Sequence, residues 1–188
     1  IAGTSNVTGN DLLNAATRSL AQARGERYAF IAQAVEGTSS LRIVSLWSGQ
    51  GYEGGTTYDL AGEPCEEVFG KKLRCYGDRL GESFPESQCV RTLQAECYVG
   101  HPLTNGSGKA LGIVAVLDVH PLREAALATS LVSMTAARVA AEIERLESDR
   151  ALLRSRERLE LAVEGSQLAL WDLDVKTGEV FLSERWAT

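Results

Sequence analysis

The chain has 188 residues, 44% of them hydrophobic, which suffices for one substantial core and a fragment of a second. Its formal net charge of -6 and pI near 5.1 speak against wholesale binding to nucleic acid or direct contact with an anionic membrane, since both need a clustered basic face and the sequence shows none. No secretory signal opens the sequence and no run approaches the roughly 20 apolar residues of a membrane span, so a cytoplasmic protein is expected.

Taken in chain order, Asn10 or Asp11 is placed to cap a first helix, in which Leu12, Leu13, Ala16, Leu20 and Ala23 recur at three- and four-residue steps until Gly25 ends it. Tyr28 to Val35 and Leu41 to Trp47 read as strands joined by a turn of hairpin composition at Glu36 to Ser40. The glycine-rich stretch from Gly49 to Gly55 reads as a flexible connection and leads to a third strand at Thr56 to Leu60. It lacks the GxxxxGK[ST] order of a phosphate-binding loop. Between Gly62 and Ala95, short helical pieces at Glu66 to Phe69 and Gln88 to Ala95 are separated by turns around Gly77 and Pro85. Cys97 to Leu103 and Ala110 to Asp118 form a second strand pair about a loop of turn-tolerant residues. The expected core comprises Leu13, Leu20, Phe30, Val44, Leu46, Val99, Ile113, Ala115 and Leu117.

From Arg123 to about Glu164 there is neither proline nor glycine, and alanine, leucine, glutamate and arginine dominate, as a long helix requires. Val132, Ala136, Val139, Ile143, Leu146, Arg150 and Leu153 step by four and three, a heptad seam flanked by charge, and the register shifts after Leu153. This spacing predicts a homodimer seamed by Val132, Val139, Ile143, Leu146 and Leu153, with Val139, Ile143, Leu146 and Leu153 facing water in a monomer. Beyond Gly165, Leu168 to Asp174 and Glu179 to Leu182 read as a hairpin about Lys176-Thr177-Gly178, leaving Trp171, Phe181 and Trp186 without a core.

Several phrases carry a resemblance: Gly62-Glu63-Pro64-Cys65-Glu66, Phe84-Pro85-Glu86, Glu96-Cys97-Tyr98-Val99-Gly100-His101-Pro102-Leu103 and Gly112-Ile113-Val114-Ala115-Val116-Leu117-Asp118. With the order of elements, they resemble the GAF domains of bacterial sensor histidine kinases and diguanylate cyclases, although that family usually carries threonine where Glu63 stands and an aliphatic residue near His101. The segment from Arg158 to Gly165, followed by Leu170-Trp171-Asp172 and Thr177-Gly178-Glu179-Val180, resembles the opening of a PAS domain. The resemblance implies an α+β fold: an antiparallel sheet of five or six strands, flanking helices, and a ligand cavity roofed by the middle segment. It implies a GAF domain over 1–121, a signalling helix over 122–165 and the start of a PAS domain over 166–188. The function implied is that of a regulatory, small-molecule-sensing and dimerisation module of a signal-transduction or two-component protein. The module itself is not an enzyme, and the output enzyme, a histidine kinase or diguanylate cyclase, lies downstream.

Trp47, Tyr52, Tyr58, Phe69, Tyr76, Phe84 and Tyr98 either line a ligand cavity or simply pack the core; the pocket candidates are the polar-tipped Tyr76, Tyr98 and His101 with Cys65 and Arg74, and Arg91 is a further handle. No cofactor is specified. The four cysteines, Cys65, Cys75, Cys89 and Cys97, include no CxxC pair, and the histidines His101 and His120 stand at no metal-ligand spacing, so reduced thiols and no metal are expected. Cys65, Cys75 and Cys89 fall in the roof segment, where the GAF-type free methionine sulfoxide reductases also place cysteines. A thiol-dependent reductase is therefore the alternative to plain core packing of these residues.

Overall fold

The structure, a computed structural model, describes residues 7–23, 25–166 and 171–182. It divides into two compact units, Ile1–Arg145 and Leu146–Thr188.

The first unit is built on one antiparallel sheet. Its strands are β1 (Tyr28–Ala34), β2 (Ser40–Trp47), β3 (Tyr52–Glu53), β4 (Thr57–Asp59), β5 (Arg74–Tyr76), β6 (Cys97–Thr104) and β7 (Ala110–Asp118), in the order β3-β2-β1-β7-β6-β5. Both β3 and β4 pair with β2, at Leu46–Trp47 and Ser40–Arg42 respectively, so together they are one outer strand interrupted at Gly54 and Gly55. The sheet thus has six strand positions. The glycine-rich stretch expected as a loose connection is partly an edge strand, because Ile43 N donates to Thr56 O and Gly55 N to Ile43 O across the break. At the centre, a Cβ on Gly112 of β7 would overlap the carbonyl of Ala32 on β1. Only glycine lets these two backbones pair so closely.

Helix α1 (Val7–Gln22) begins ahead of the Asn10 or Asp11 cap expected from the sequence, and Gly25, at φ 75°, ends it with its N–H on Ala21 O. Its apolar stripe at Leu13, Leu20 and Ala21 packs on one sheet face together with Ala128, Val132, Ala136, Val139, Ala140 and Ile143 of helix α4 (Ala125–Ser166). Ile31, Val99, Val114 and Val116 meet them from the sheet. This corrects the expectation that Val139 and Ile143 face water in a single chain: both are fully buried in the chain's own core. A core stripe and a heptad seam share the same three-four spacing, so the pattern alone does not say which surface the stripe meets. Of the expected core, Val44 and Leu46 are only half-buried, since β2 lies beside the short outer strand rather than at the sheet centre.

The other face carries the middle segment, with a 3-10 turn at Pro64–Glu67 and the short helices α2 (Leu80–Ser83) and α3 (Gln88–Leu93), while strand β5 of the same segment joins the sheet edge beside β6. Strand β5 falls in a stretch for which the sequence suggested only helical pieces and turns. Leu60, Cys65, Val68, Leu80, Val90 and Ala95 of this roof bury Phe30, Ala32, Tyr98, Ile113 and Leu117 of the sheet.

By length and composition, α4 is long and apolar enough to cross a membrane over Ala125–Val163, with mean hydropathy 1.2 in its most apolar window, contrary to the expectation that no run comes near. A third of that window (33%) is buried within the protein, and alanines packed on the sheet raise its hydropathy.

In the second unit, β8 (Trp171–Leu173) pairs antiparallel with β9 (Val180–Leu182) about a turn in which Asp174 Oδ1 accepts from Lys176 N and Thr177 N. Trp171, Leu173, Val180, Phe181 and Leu182 are all exposed. Trp186 and Leu168 lie outside the described residues.

Candidate functional site

Antiparallel pairing decides which residues share a face. Arg74 pairs with Gly100 and Tyr76 with Tyr98, which places Arg74, Tyr76 and Tyr98 under the roof. Cys97, Val99, His101 and Leu103 alternate to the opposite face, that of α1 and α4, so His101 does not join the others; its Nδ1 lies 2.7 Å from Pro102 O.

Tyr98 is fully buried, and its phenol lies over Gly100, where a Cβ would overlap the ring. Its hydroxyl donates to Cys65 Sγ at 3.6 Å. Tyr76 stands edge-on to Phe84 at 5.1 Å and 6.4 Å from the Tyr98 ring. The hydroxyl oxygen of Tyr58, from β4, is also buried here, beside the Cys65 thiol. Burial holds both phenols well above their ordinary range, with the neighbouring Cys65 thiol as the next cause. Arg74 turns to Glu67, with Nη2 on Oε2 at 2.7 Å, in a half-exposed ion pair at the rim.

Glu63 fixes the roof. The residue is only 8% exposed, and Oε2 accepts from Ser87 Oγ at 2.5 Å while Oε1 accepts from the backbone N–H of Gln88 at 3.0 Å and of Cys89 at 3.3 Å. Ser87 in turn accepts from Val90 N at 3.0 Å as the N-cap of α3. A carboxylate 24 residues away thus closes the end of a six-residue helix and ties the 3-10 turn to it. Nothing local in the sequence announces this pairing beyond the acidic residue beside Pro64.

The four thiols are all free. Burial pushes Cys65 up to about 11, Cys89 to about 12 and Cys97 to about 11, and raises Cys75 as well. The hydrogen bonds that Cys65 receives oppose this without overcoming it. These are protonated thiols, not activated ones.

Among the described residues, two clefts open at the end of the sheet where β1 and β6 begin and β7 ends. One, of about 280 Å³, is lined by Glu26, Cys97, Asp118, His120, Leu122 and Arg123. Asp118 is occupied there, taking Arg27 N on Oδ2 at 2.6 Å and His120 N on Oδ1 at 2.9 Å. Among the described residues no group of three His, Cys, Asp or Glu side chains is placed to hold a metal. The other cleft, about 520 Å³, lies between the start of β1, the β2–β3 turn and the end of α3, with Arg27, Tyr28, Glu53 and Leu93 in its walls. The sequence had not singled out these residues.

No protein-family model matches the sequence. A 39-residue stretch is 56% identical to the Dictyostelium discoideum protein "Hybrid signal transduction histidine kinase A"; it covers 21% of this chain, and the chain spans 2% of that protein's length. The fold matches the GAF domain of an Acinetobacter phosphoenolpyruvate-protein phosphotransferase with TM-score 0.63 and 15% identity, over 78% of this chain and 89% of that one. It matches a far-red cyanobacteriochrome photoreceptor with TM-score 0.59 and 14% identity, over 76% and 90%. It is also similar to a free methionine-R-sulfoxide reductase from Neisseria meningitidis, TM-score 0.56 and 16% identity, over 75% and 83%. The first unit therefore has the GAF fold.

Proposed function

We propose that the chain is the regulatory, small-molecule-sensing part of a larger cytoplasmic signal-transduction protein, with its output enzyme elsewhere. The observation that carries this reading is the double use of α4. Up to Ile143 the helix is core of the GAF-fold unit, and from Glu144 to Ala162 no residue is buried. A helix that begins inside a sensory fold and runs 19 residues beyond the last buried one, Ile143 to Ala162, is built to hand a change of state onward.

Homodimerisation through α4 belongs to the same proposal, with its seam confined to the later part of the helix. Val132, Val139 and Ile143 are taken by the chain's own core, whereas Leu146 is half-buried and Leu152, Leu153, Leu159 and Leu161 are 58–71% exposed. Each such side chain gains about 1.5–3 kcal/mol on full burial, which a second copy supplies. The hairpin of β8 and β9, with its uncovered Trp171 and Phe181, is the expected start of a PAS domain.

The reductase reading is weaker. Catalysis by a cysteine needs a thiolate near neutral pH, and here Cys65 and Cys97 are buried and all four thiols are raised by burial rather than lowered by a cationic neighbour. Thioredoxin-coupled turnover of free methionine sulfoxide tests the choice, run beside a thermal-shift screen of common metabolites. No turnover together with a metabolite that raises the melting temperature supports the sensor. Turnover that a Cys89→Ser variant abolishes, with no stabilising metabolite, overturns it.

A further inference from the structure

The cleft between β1, the β2–β3 turn and α3 has a charge pattern that restricts what fits it. Arg27 is exposed, its guanidinium lies 5.6 Å over the Tyr28 ring, and it joins no ion pair among the described residues. The ring holds the cation at the cleft wall without neutralising it. Phe30 pairs with Leu46 and Leu46 with Glu53, so Glu53 ends a row that starts in the apolar face under the roof, and its carboxylate stands at the cleft on the same side as Tyr28. Glu53 joins no ion pair among the described residues either. Leu93, half-buried at the end of α3, supplies an apolar wall, and Gly49 at φ 85° makes the turn that brings β3 round.

A simple anion entering the cleft meets Glu53, and a simple cation meets Arg27. A neutral apolar molecule uses neither charge. A molecule with one carboxylate and one ammonium satisfies both, and its apolar body covers Tyr28 and Leu93. We infer that this cleft binds a small zwitterion with an apolar or aromatic body, a free amino acid or a short peptide. The inference deepens the sensory reading and rests on it.

Isothermal titration calorimetry at low ionic strength tests it, with L-phenylalanine and L-leucyl-L-phenylalanine as the two zwitterions. Phenethylamine, which lacks the carboxylate, and N-acetyl-L-phenylalanine, which lacks the ammonium, are the controls. At least one zwitterion is expected to bind about tenfold or more tightly than either control; whichever zwitterion binds better identifies the source. In Arg27→Gln the advantage over phenethylamine disappears, and in Glu53→Gln the advantage over the acetylated compound disappears. Both side chains are exposed, so unchanged melting curves show that the variants fold. Absence of heat with both zwitterions, equal binding of a control, or indifference to both substitutions overturns the inference. If that happens while another small molecule binds, the sensory reading stands without it. Zwitterion binding that leaves hydrogen exchange of α4 unchanged removes the sensory reading and, with it, the role inferred for the cleft.

Discussion

Replacing Glu63 by alanine removes one acceptor group from three donors at once. Ser87 Oγ–H and the N–H groups of Gln88 and Cys89 all point at its two oxygens, at 2.5, 3.0 and 3.3 Å. Hydrogen bonds to a charged group contribute about 1.5–3 kcal/mol each, and an orphaned buried donor costs about 1–3 kcal/mol. The three are not additive, because they share one carboxylate and because water reaches the half-exposed α3 N-terminus. A loss of about 2–4 kcal/mol is expected, which for a unit of this size lowers the melting temperature by about 6–12 °C. Glu63→Gln keeps one accepting oxygen but turns the other into a donor that faces donors, so it falls between, at about 1–2 kcal/mol. The assay is reversible thermal or urea unfolding, with thiol alkylation of Cys89 as a local readout, since Cys89 N is one of the bonds lost. A melting temperature within about 1 °C of the native value for Glu63→Ala, with unchanged Cys89 reactivity, would refute the account of how the roof is fixed.

Gly112→Ala forces a Cβ into the Ala32 carbonyl at the sheet centre and is expected to lose about 3 kcal/mol or more, seen as insolubility or a much earlier urea midpoint. Because burial raises Cys65 from the ordinary thiol value near 9 to about 11, the neutral thiol stabilises the fold fully below pH 9, and that contribution is lost as pH rises through about 11. Urea midpoints should therefore hold to pH 9 and fall towards pH 11, less steeply in Cys65→Ser. Cys75, the exposed thiol, should react first with a disulfide reagent at pH 8, and Cys65 only as fast as the protein opens. Leu153→Glu with Leu159→Glu should shift sedimentation from dimer to monomer without changing the melting of the first unit, since both side chains are more than half exposed.

The long-range parts of this structure are the ones the sequence conceals. Strands β1, β2, β6 and β7, α1, α3 and the 42-residue α4 were legible because each carries its own period or breaker. Strand β5 was not, having three residues and a partner far along the chain, as where Arg74 pairs with Gly100. The destination of Val139 and Ile143 was illegible for a different reason: spacing defines a stripe but not the surface it meets. Under the roof, Arg74, Tyr76 and Tyr98 share one side through register, which also sends His101 to the other, while Cys65 reaches Tyr98 from the 3-10 turn. The Glu63 clamp and the Arg27–Tyr28–Glu53 cleft join residues from separate elements, and only the fold brings those together.

Native mass spectrometry of freshly purified protein puts the central claim to its most direct test. The sensory account predicts chains heavier than 20.2 kDa by a small organic molecule that leaves on gentle activation. A bare chain mass in every charge state, unchanged after incubation with a metabolite extract, would contradict it.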